Sequence, residues 1–248
     1  MQDGRFPRAR SALAQRYLLP TLPPLGRTEL TGDLAHHLGR VMRVQVGERV
    51  RLGDGVGGCA EATVLSVDRA SVVVDVAHVT RRARTRPQVT LAFACPRPAR
   101  ADWLIEHGTE VGVATFQPIW CERSRPQKLR LDRWRKIADA AVGQCDRDWA
   151  PTLLEPVELG DWLAGERPPR SLLADAAGEL LTATAGDGGR DDAALLVGPE
   201  GGFTDHEVQR AVDAGLRRVR FAAHTLRTET AALVGAALLL CDADEASD

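Results

Sequence analysis

Lysine is nearly absent from this 248-residue chain: of 32 basic residues, only Lys128 and Lys136 are not arginine. The planar guanidinium fork suits phosphate better than an ammonium does, although heavy arginine usage equally reflects genome composition. Long apolar runs are also missing. The Ala231–Cys241 stretch is too short and too alanine-rich to cross a bilayer, which takes roughly 18 residues or more. The first residues, Met1-Gln2-Asp3-Gly4-Arg5, lack the apolar core of a secretory signal, so a cytoplasmic location is expected. The cysteines (Cys59, Cys95, Cys121, Cys145 and Cys241) are scattered, with no CxxC pair and no adjoining histidine cluster. That spacing excludes a zinc site or a disulfide framework, and no metal is expected.

The formal net charge of −2 conceals an asymmetry. Residues 1–86 carry 14 arginines against 8 acidic residues, whereas the remainder carries 18 basic against 26 acidic. A basic first third points toward a nucleic-acid partner, with a solvated charged surface as the alternative. The length allows one or two domains.

The first third reads as mostly β, with strands at Arg16–Leu19, Arg49–Leu52, Ala60–Val67 and Ser71–Val79, and turns at Gly53-Asp54-Gly55 and Gly57-Gly58. One helix is predicted at Leu34–Met42, with Leu34, Leu38 and Val41 on one face and Asp33 as its N-cap. Short strands with a single helix describe a small barrel. Thr80–Pro87, with four arginines and a proline, reads as a linker. Beyond it the pattern alternates. Strands are predicted at Val89–Ala94, Phe116–Cys121, Ser171–Ala174, Ala193–Val197 and Arg217–Phe221. Helices are predicted at Ala99–Val111, Leu131–Cys145, Asp205–Ala214 and Glu229–Leu240, and Gly178–Asp192 reads as a loop. Such alternation predicts a parallel α/β sheet with helices on both faces.

Two loop-to-helix junctions carry the chemistry. In Leu195-Leu196-Val197-Gly198-Pro199-Glu200-Gly201-Gly202-Phe203-Thr204, an apolar strand enters a Pro/Gly turn and then a helix start. Thr204 and Glu207 fit a capping box, Phe203 and Val208 a hydrophobic staple, and Gly215 a helix stop. The turn is neither a P-loop nor GxGxxG, and capping leaves Glu200 unexplained. In Leu226-Arg227-Thr228-Glu229-Thr230-Ala231, Thr228 is placed to cap and Glu229 suits the first turn. Arg227 opposes the helix dipole, so it should answer an anion: Glu200, a ligand carboxylate or a phosphate. The helix beyond is apolar all round, which predicts burial on every side and a subunit interface. In parallel sheets functional groups gather beyond the strand ends, which adds Glu122-Arg123-Ser124-Arg125. Gln144 and Arg147 lie just beyond the core stripe of Trp134, Ala138, Ala141, Val142 and Cys145.

At these residues the chain resembles the ribosomal RNA small subunit methyltransferase E family. The resemblance rests on Leu196–Gly202 and Leu226–Ala231, together with His37-Leu38-Gly39-Arg40-Val41-Met42-Arg43, Glu122-Arg123-Ser124 and Gln144-Cys145-Asp146-Arg147. The matches run in family order along nearly the whole chain. The resemblance implies an α/β fold with a C-terminal SPOUT domain tied in a trefoil knot and a small N-terminal PUA-like β-barrel. The implied boundaries are 1–82 for the barrel, 83–87 for the linker and 88–248 for the SPOUT domain. It implies S-adenosylmethionine as methyl donor, an obligate homodimer, and as substrate N3 of one uridine near the 3′ end of 16S ribosomal RNA in the small subunit. Val197, Gly198, Pro199, Glu200, Gly201 and Gly202 would line the cofactor, Phe221 and Leu226 would enclose its adenine, and Leu172 and Leu173 would lie on the remaining knot loop. Arg227 would sit beside the cofactor or the target base. Arg40, Arg43, Arg123, Arg125, Gln144 and Arg147 would meet RNA.

For the chemistry, Arg227 or Arg123 would stabilise the uridine anion, and a carboxylate (Glu229 or Glu200) or water would take the proton. The chain departs from the family's Leu-Gly-x-Arg at Phe221-Ala222-Ala223-His224, from its Glu at Gly143, from a lysine at Arg100, and mildly at Glu110-Val111-Gly112. Ala222 and His224 motivate one alternative, a non-catalytic RNA-binding assembly factor, and a related methyltransferase with a different RNA target is a second.

Overall fold

The computed structural model describes residues 16–124, 128–181 and 191–241, which fall into two compact units. One unit contains residues 16–83 with the returning segment Gly143–Trp149; the other contains Arg84–Val142 and the chain from Ala150 onward.

In the first unit, strands β1 (Arg16–Leu18), β2 (Gly26–Thr31), β3 (Arg49–Gly53), β4 (Gly58–Val67) and β5 (Ser71–Arg81) form one sheet in the order β1-β3-β4-β5-β2. Every neighbouring pair is antiparallel except β1 with β3. Side chains in a strand alternate between faces. Ala60, Ala62 and Val64 on β4 and Val72, Val74 and Val76 on β5 therefore enter one core with Leu38, Val50 and Leu52. β5 includes Thr80 and Arg81, so the predicted linker begins later than expected: Thr80 pairs with Cys59 and Arg81 with Gly58. The predicted single helix is instead α1 (Gly32–His36) continued by a π-helical turn, His37–Val41. Thr31, not Asp33, precedes it, with no side-chain cap. The wider π turn changes the angular spacing, which leaves Leu38 buried and rotates Val41 out to 57% exposure.

The returning segment is held by a buried arginine. Arg16, its side chain fully buried, lies 2.8 Å from Asp148 and 3.3 Å from Asp146. It also donates to the Arg147 carbonyl, while Arg51 pairs with Asp146. A buried guanidinium is tolerated only with such partners.

The second unit alternates as predicted: β6 (Val89–Ala94), α2 (Pro98–Val111), β7 (Thr115–Trp120), α3 (Leu131–Cys145), β8 (Thr152–Leu153), β9 (Val157–Glu158), α4 (Leu159–Ala164), β10 (Arg170–Leu180), β11 (Ala193–Val197), α5 (Asp205–Asp213), β12 (Arg217–Arg220) and α6 (Thr228–Cys241). All its strand pairs are parallel, in the order β12-β10-β11-β6-β7-β8 with β9 also on β7. Residues of β6 and β11 divide by face. Leu91, Phe93, Leu195 and Val197 pack with residues of α2, α3 and α6, whereas Ala92 and Leu196 pack with residues of α4 and α5. That two-sided burial explains why these strands are apolar throughout. β10 runs six residues past its predicted end, through a bulge between Ala174 and Glu179. The loop predicted at Gly178–Asp192 is therefore strand through Leu180, and residues 182–190 lie outside the described residues.

Candidate active site

The C-terminal ends of β10, β11 and β12 and the N-terminal turn of α6 enclose a cavity of about 980 Å³. Both sequence junctions open into it. Val197, Gly198, Pro199, Glu200 and Gly202 line one side, and Phe221, Leu226, Arg227, Thr228 and Ala231 another.

The β11–α5 turn is fastened to its surroundings at several points. The hydroxyl of Thr228 donates to the Gly198 carbonyl at 2.9 Å. The side chain predicted to cap α6 thus joins the two junctions, and Thr228 is itself the first helical residue. The carbonyl of Arg227 accepts from Ala231 N–H instead. Arg123 donates to the carbonyls of Gly201 (2.9 Å) and Phe203 (3.3 Å). Glu207 makes the predicted capping box with Thr204 and also accepts the Glu122 N–H at 2.8 Å. It thereby ties the segment after β7 to α5 while 3% exposed. Gly202 adopts φ +70, in the region that favours glycine. A Cβ at Gly198 would lie 2.9 Å from the Phe203 ring, so both glycines serve the shape of the turn.

Arg100, on the first turn of α2, joins two acidic residues. It pairs with Glu200 and lies 3.5 Å from Oε1 of Glu229. Glu229 is 7% exposed and its Oε2 has no hydrogen-bond partner among the described residues. Across the cavity, Arg218 on β12 places Nε and Nη2 both 2.8 Å from one oxygen of Asp175, whose other oxygen accepts from Ala177 N–H at 2.9 Å. Burial pushes the Cys121 thiol, just past β7, up.

The expected site residues fare unequally. Arg227 lines the cavity, exposed and without an ion pair among the described residues; Glu200 is taken by Arg100. Arg123 braces the turn through the Gly201 carbonyl, and neither Arg123 nor the exposed Gly201 is among the residues lining the cavity. Glu229 is buried beneath Arg100, outside the cavity wall. Leu172 and Leu173 fall short of the site: both are interior β10 residues in the cores on either face. Ala174–Ala177, further along that strand, form the wall in their place. Arg40 and Arg43 are exposed on the first unit, which also holds Gln144 and Arg147. Arg125 lies outside the described residues. Sequence reasoning noted Arg100 only as a substitution, yet a cation at a helix N-terminus is the signal that singled out Arg227. The Asp175–Arg218 pair had no such signal.

Among the described residues no helix is long and apolar enough to cross a membrane, and no group of three acidic, histidine or cysteine residues would hold a metal.

Known proteins share this arrangement. A family described as an RNA methyltransferase domain matches residues 84–240, and one described as an RNA methyltransferase PUA domain matches residues 30–77. The ribosomal RNA small subunit methyltransferase E of Mycobacterium bovis is 33% identical over 90% of this chain and 89% of its own. That of Synechocystis is 30% identical over 84% of this chain and 71% of its own. The crystal structure of a ribosomal RNA small subunit methyltransferase E from Neisseria gonorrhoeae bound to S-adenosylmethionine superposes with a TM-score of 0.80 at 28% identity, covering 90% of this chain and 95% of that one. The α/β unit with its looped cavity, the accompanying PUA domain and these matches place the chain in one family: it belongs to the ribosomal RNA small subunit methyltransferase E family of RNA methyltransferases.

Proposed function

We propose that the protein transfers the methyl group of S-adenosylmethionine to N3 of one uridine near the 3′ end of 16S ribosomal RNA. The observation that carries this reading is the meeting of the Gly198–Gly202 and Leu226–Ala231 junctions around one cavity, joined by the Thr228–Gly198 hydrogen bond. The residues present fit the cofactor. Val197, Phe221 and Leu226 offer an apolar slot for adenine, and the backbone of the glycine turn offers donors and acceptors for its edge. Asp175 and Arg218 supply charge for the polar end.

When bound, the cofactor supplies an electrophilic methyl group. Uridine N3 lies on the Watson–Crick edge, so the base must be unpaired or flipped out before it reacts. Arg227, exposed on the cavity wall, would stabilise the uridine anion as the N3 proton leaves. The carboxylates proposed to take that proton are both engaged by Arg100, which favours water as the acceptor. Arg123, through Gly201 and Phe203, would hold the turn in register.

The same reading extends to architecture. Three strand-end loops converge on the cavity, and β12 returns beside β10 rather than β11, an arrangement that supports a trefoil knot at this edge. The five-stranded first unit would be the PUA-like barrel, with Arg40, Arg43, Gln144 and Arg147 toward RNA. On α6, Ala232, Gly235, Ala236 and Leu239 are buried, while Leu233, Val234 and Leu238 are only half-buried. A helix apolar all round needs a second cover, so a homodimer through α6 is proposed. A ribosomal substrate places the protein in the cytoplasm.

N3-methyluridine cannot pair and halts reverse transcriptase. In a strain lacking this gene the stop near the 3′ end of 16S RNA should disappear, and the gene on a plasmid should restore it. A stop that persists without the gene would refute the assigned substrate.

A further inference from the structure

The turn Gly198-Pro199-Glu200-Gly201-Gly202 contains one residue with a polar side chain, Glu200. Three of its neighbours are glycines, which leave the backbone the widest choice of conformations. Its two ends are fastened through main-chain carbonyls, by Thr228 at Gly198 and by Arg123 at Gly201. A hydrogen bond from the Gly202 N–H to the Pro199 carbonyl (2.9 Å) closes the turn on itself, so the one side chain by which the turn can be gripped from outside is Glu200, and Arg100 takes it. Helix capping explains Thr204 and Glu207 but does nothing for Glu200.

Arg100 is itself steadied from the other side. Its Nε faces Glu229, whose carboxylate is 9% exposed, whereas Arg100 and Glu200 are 32% and 48% exposed. One guanidinium, with donors fixed in a rigid fork, thus spans a buried carboxylate on α6 and a half-exposed carboxylate on the cofactor turn. Glu229 gains from this arrangement the positive neighbour that a buried carboxylate requires.

Resting on the cofactor reading above, we propose that Arg100 is a positioning residue that sets the S-adenosylmethionine turn by gripping Glu200, with Glu229 as the fixed post behind it. Glu200 is then a handle for the turn and Glu229 an anchor, and neither is a proton acceptor.

The test is calorimetric titration of full-length protein with S-adenosylmethionine, alongside thermal melting of each variant. Removing Arg100 alone would strand the buried Glu229, so R100A, E200Q, their combination and R100K are made in a Glu229→Gln background. E200Q is also made in the natural chain, where the Arg100–Glu229 contact survives. The expected result is that R100A and E200Q each weaken binding about tenfold, which corresponds to ordinary coupling within a contacting pair. The combination should be no weaker than either alone, and R100K should recover to within about threefold, since the charge persists without the fork. A merely structural role would lower every melting temperature and would not be rescued by lysine. Unchanged affinity in R100A or in E200Q, or losses that multiply in the combination, would overturn the proposal while leaving the cofactor assignment intact. Absence of binding by the natural chain would instead bring down the cofactor reading and this proposal with it.

Discussion

A guanidinium at the N-terminal end of a helix works against the helix dipole, and two of them, Arg100 in the first turn of α2 and Arg227 just before α6, line the same cavity. Arg100 has its compensation in Glu200 and Glu229. Arg227 has no ion pair among the described residues, which leaves its charge for a ligand. Replacing Arg227 by alanine should therefore lower the methyl-transfer rate about a hundredfold or more, the usual cost of losing one anion-stabilising donor, while S-adenosylmethionine affinity stays within about threefold. Single-turnover kinetics with calorimetry separates the two; near-normal transfer would remove Arg227 from the chemistry. At this scale the sequence revealed which side chains lacked a local purpose but not whom they met. Glu200 and Arg227 stood out because capping and dipole rules fail to explain them. Which anion answers Arg227 stayed open, with Glu200 one of three candidates, because Arg100, a hundred positions away (|i−j| = 100), takes Glu200, and no local rule reports that.

Among the elements, the starts and stops written in short-range chemistry were the readable ones. The Thr204–Glu207 capping box forms, and Gly215 closes α5 at φ +89. Strands buried on both faces, β6 and β11, were bounded correctly because their apolar runs end abruptly. β10 was cut short because its second half leaves the core: residues Ala176 and Ala177 are exposed and lie in the bulge between Ala174 and Glu179. Gly178 allows that passage, since a Cβ there would lie 2.5 Å from the Val219 nitrogen. The π turn after α1 was likewise invisible to a 3.6-residue period. Gly235 on α6 is a sharper case of close packing. A Cβ there would lie 2.6 Å from both Leu195 Cδ2 and Phe221 Cζ. Gly235→Ala should destabilise the protein by about 1–3 kcal/mol, as overpacking does, and weaken cofactor binding by displacing Phe221 from the cavity wall. Chemical denaturation and titration measure both; an alanine tolerated in both would show that α6 does not set the position of Phe221.

At the level of the whole molecule, the chain carries a β-rich first unit and an α/β unit that holds the cavity, and the basic first third was the sequence cue to the first. What local pattern could not show is that Gly143–Trp149 returns to the first unit. The return is fixed by Arg16 with Asp146 and Asp148, residues separated by some 130 positions (|i−j| = 131 for Arg16 with Arg147). If RNA is held by the first unit, Arg40→Ala with Arg43→Ala should weaken RNA binding and flatten its salt dependence by about 1.4 to 1.8 units of log–log slope, about 0.7 to 0.9 for each lost phosphate contact. S-adenosylmethionine affinity should not change. Equal salt slopes would move the RNA site elsewhere. The central claim is tested most directly with purified protein, isotope-labelled S-adenosylmethionine and small ribosomal subunits from a strain lacking the gene, followed by mass-spectrometric mapping of the labelled base. The account predicts one labelled methyl per 16S RNA, on N3 of a uridine near its 3′ end; no transfer, or a label on another base, would contradict it.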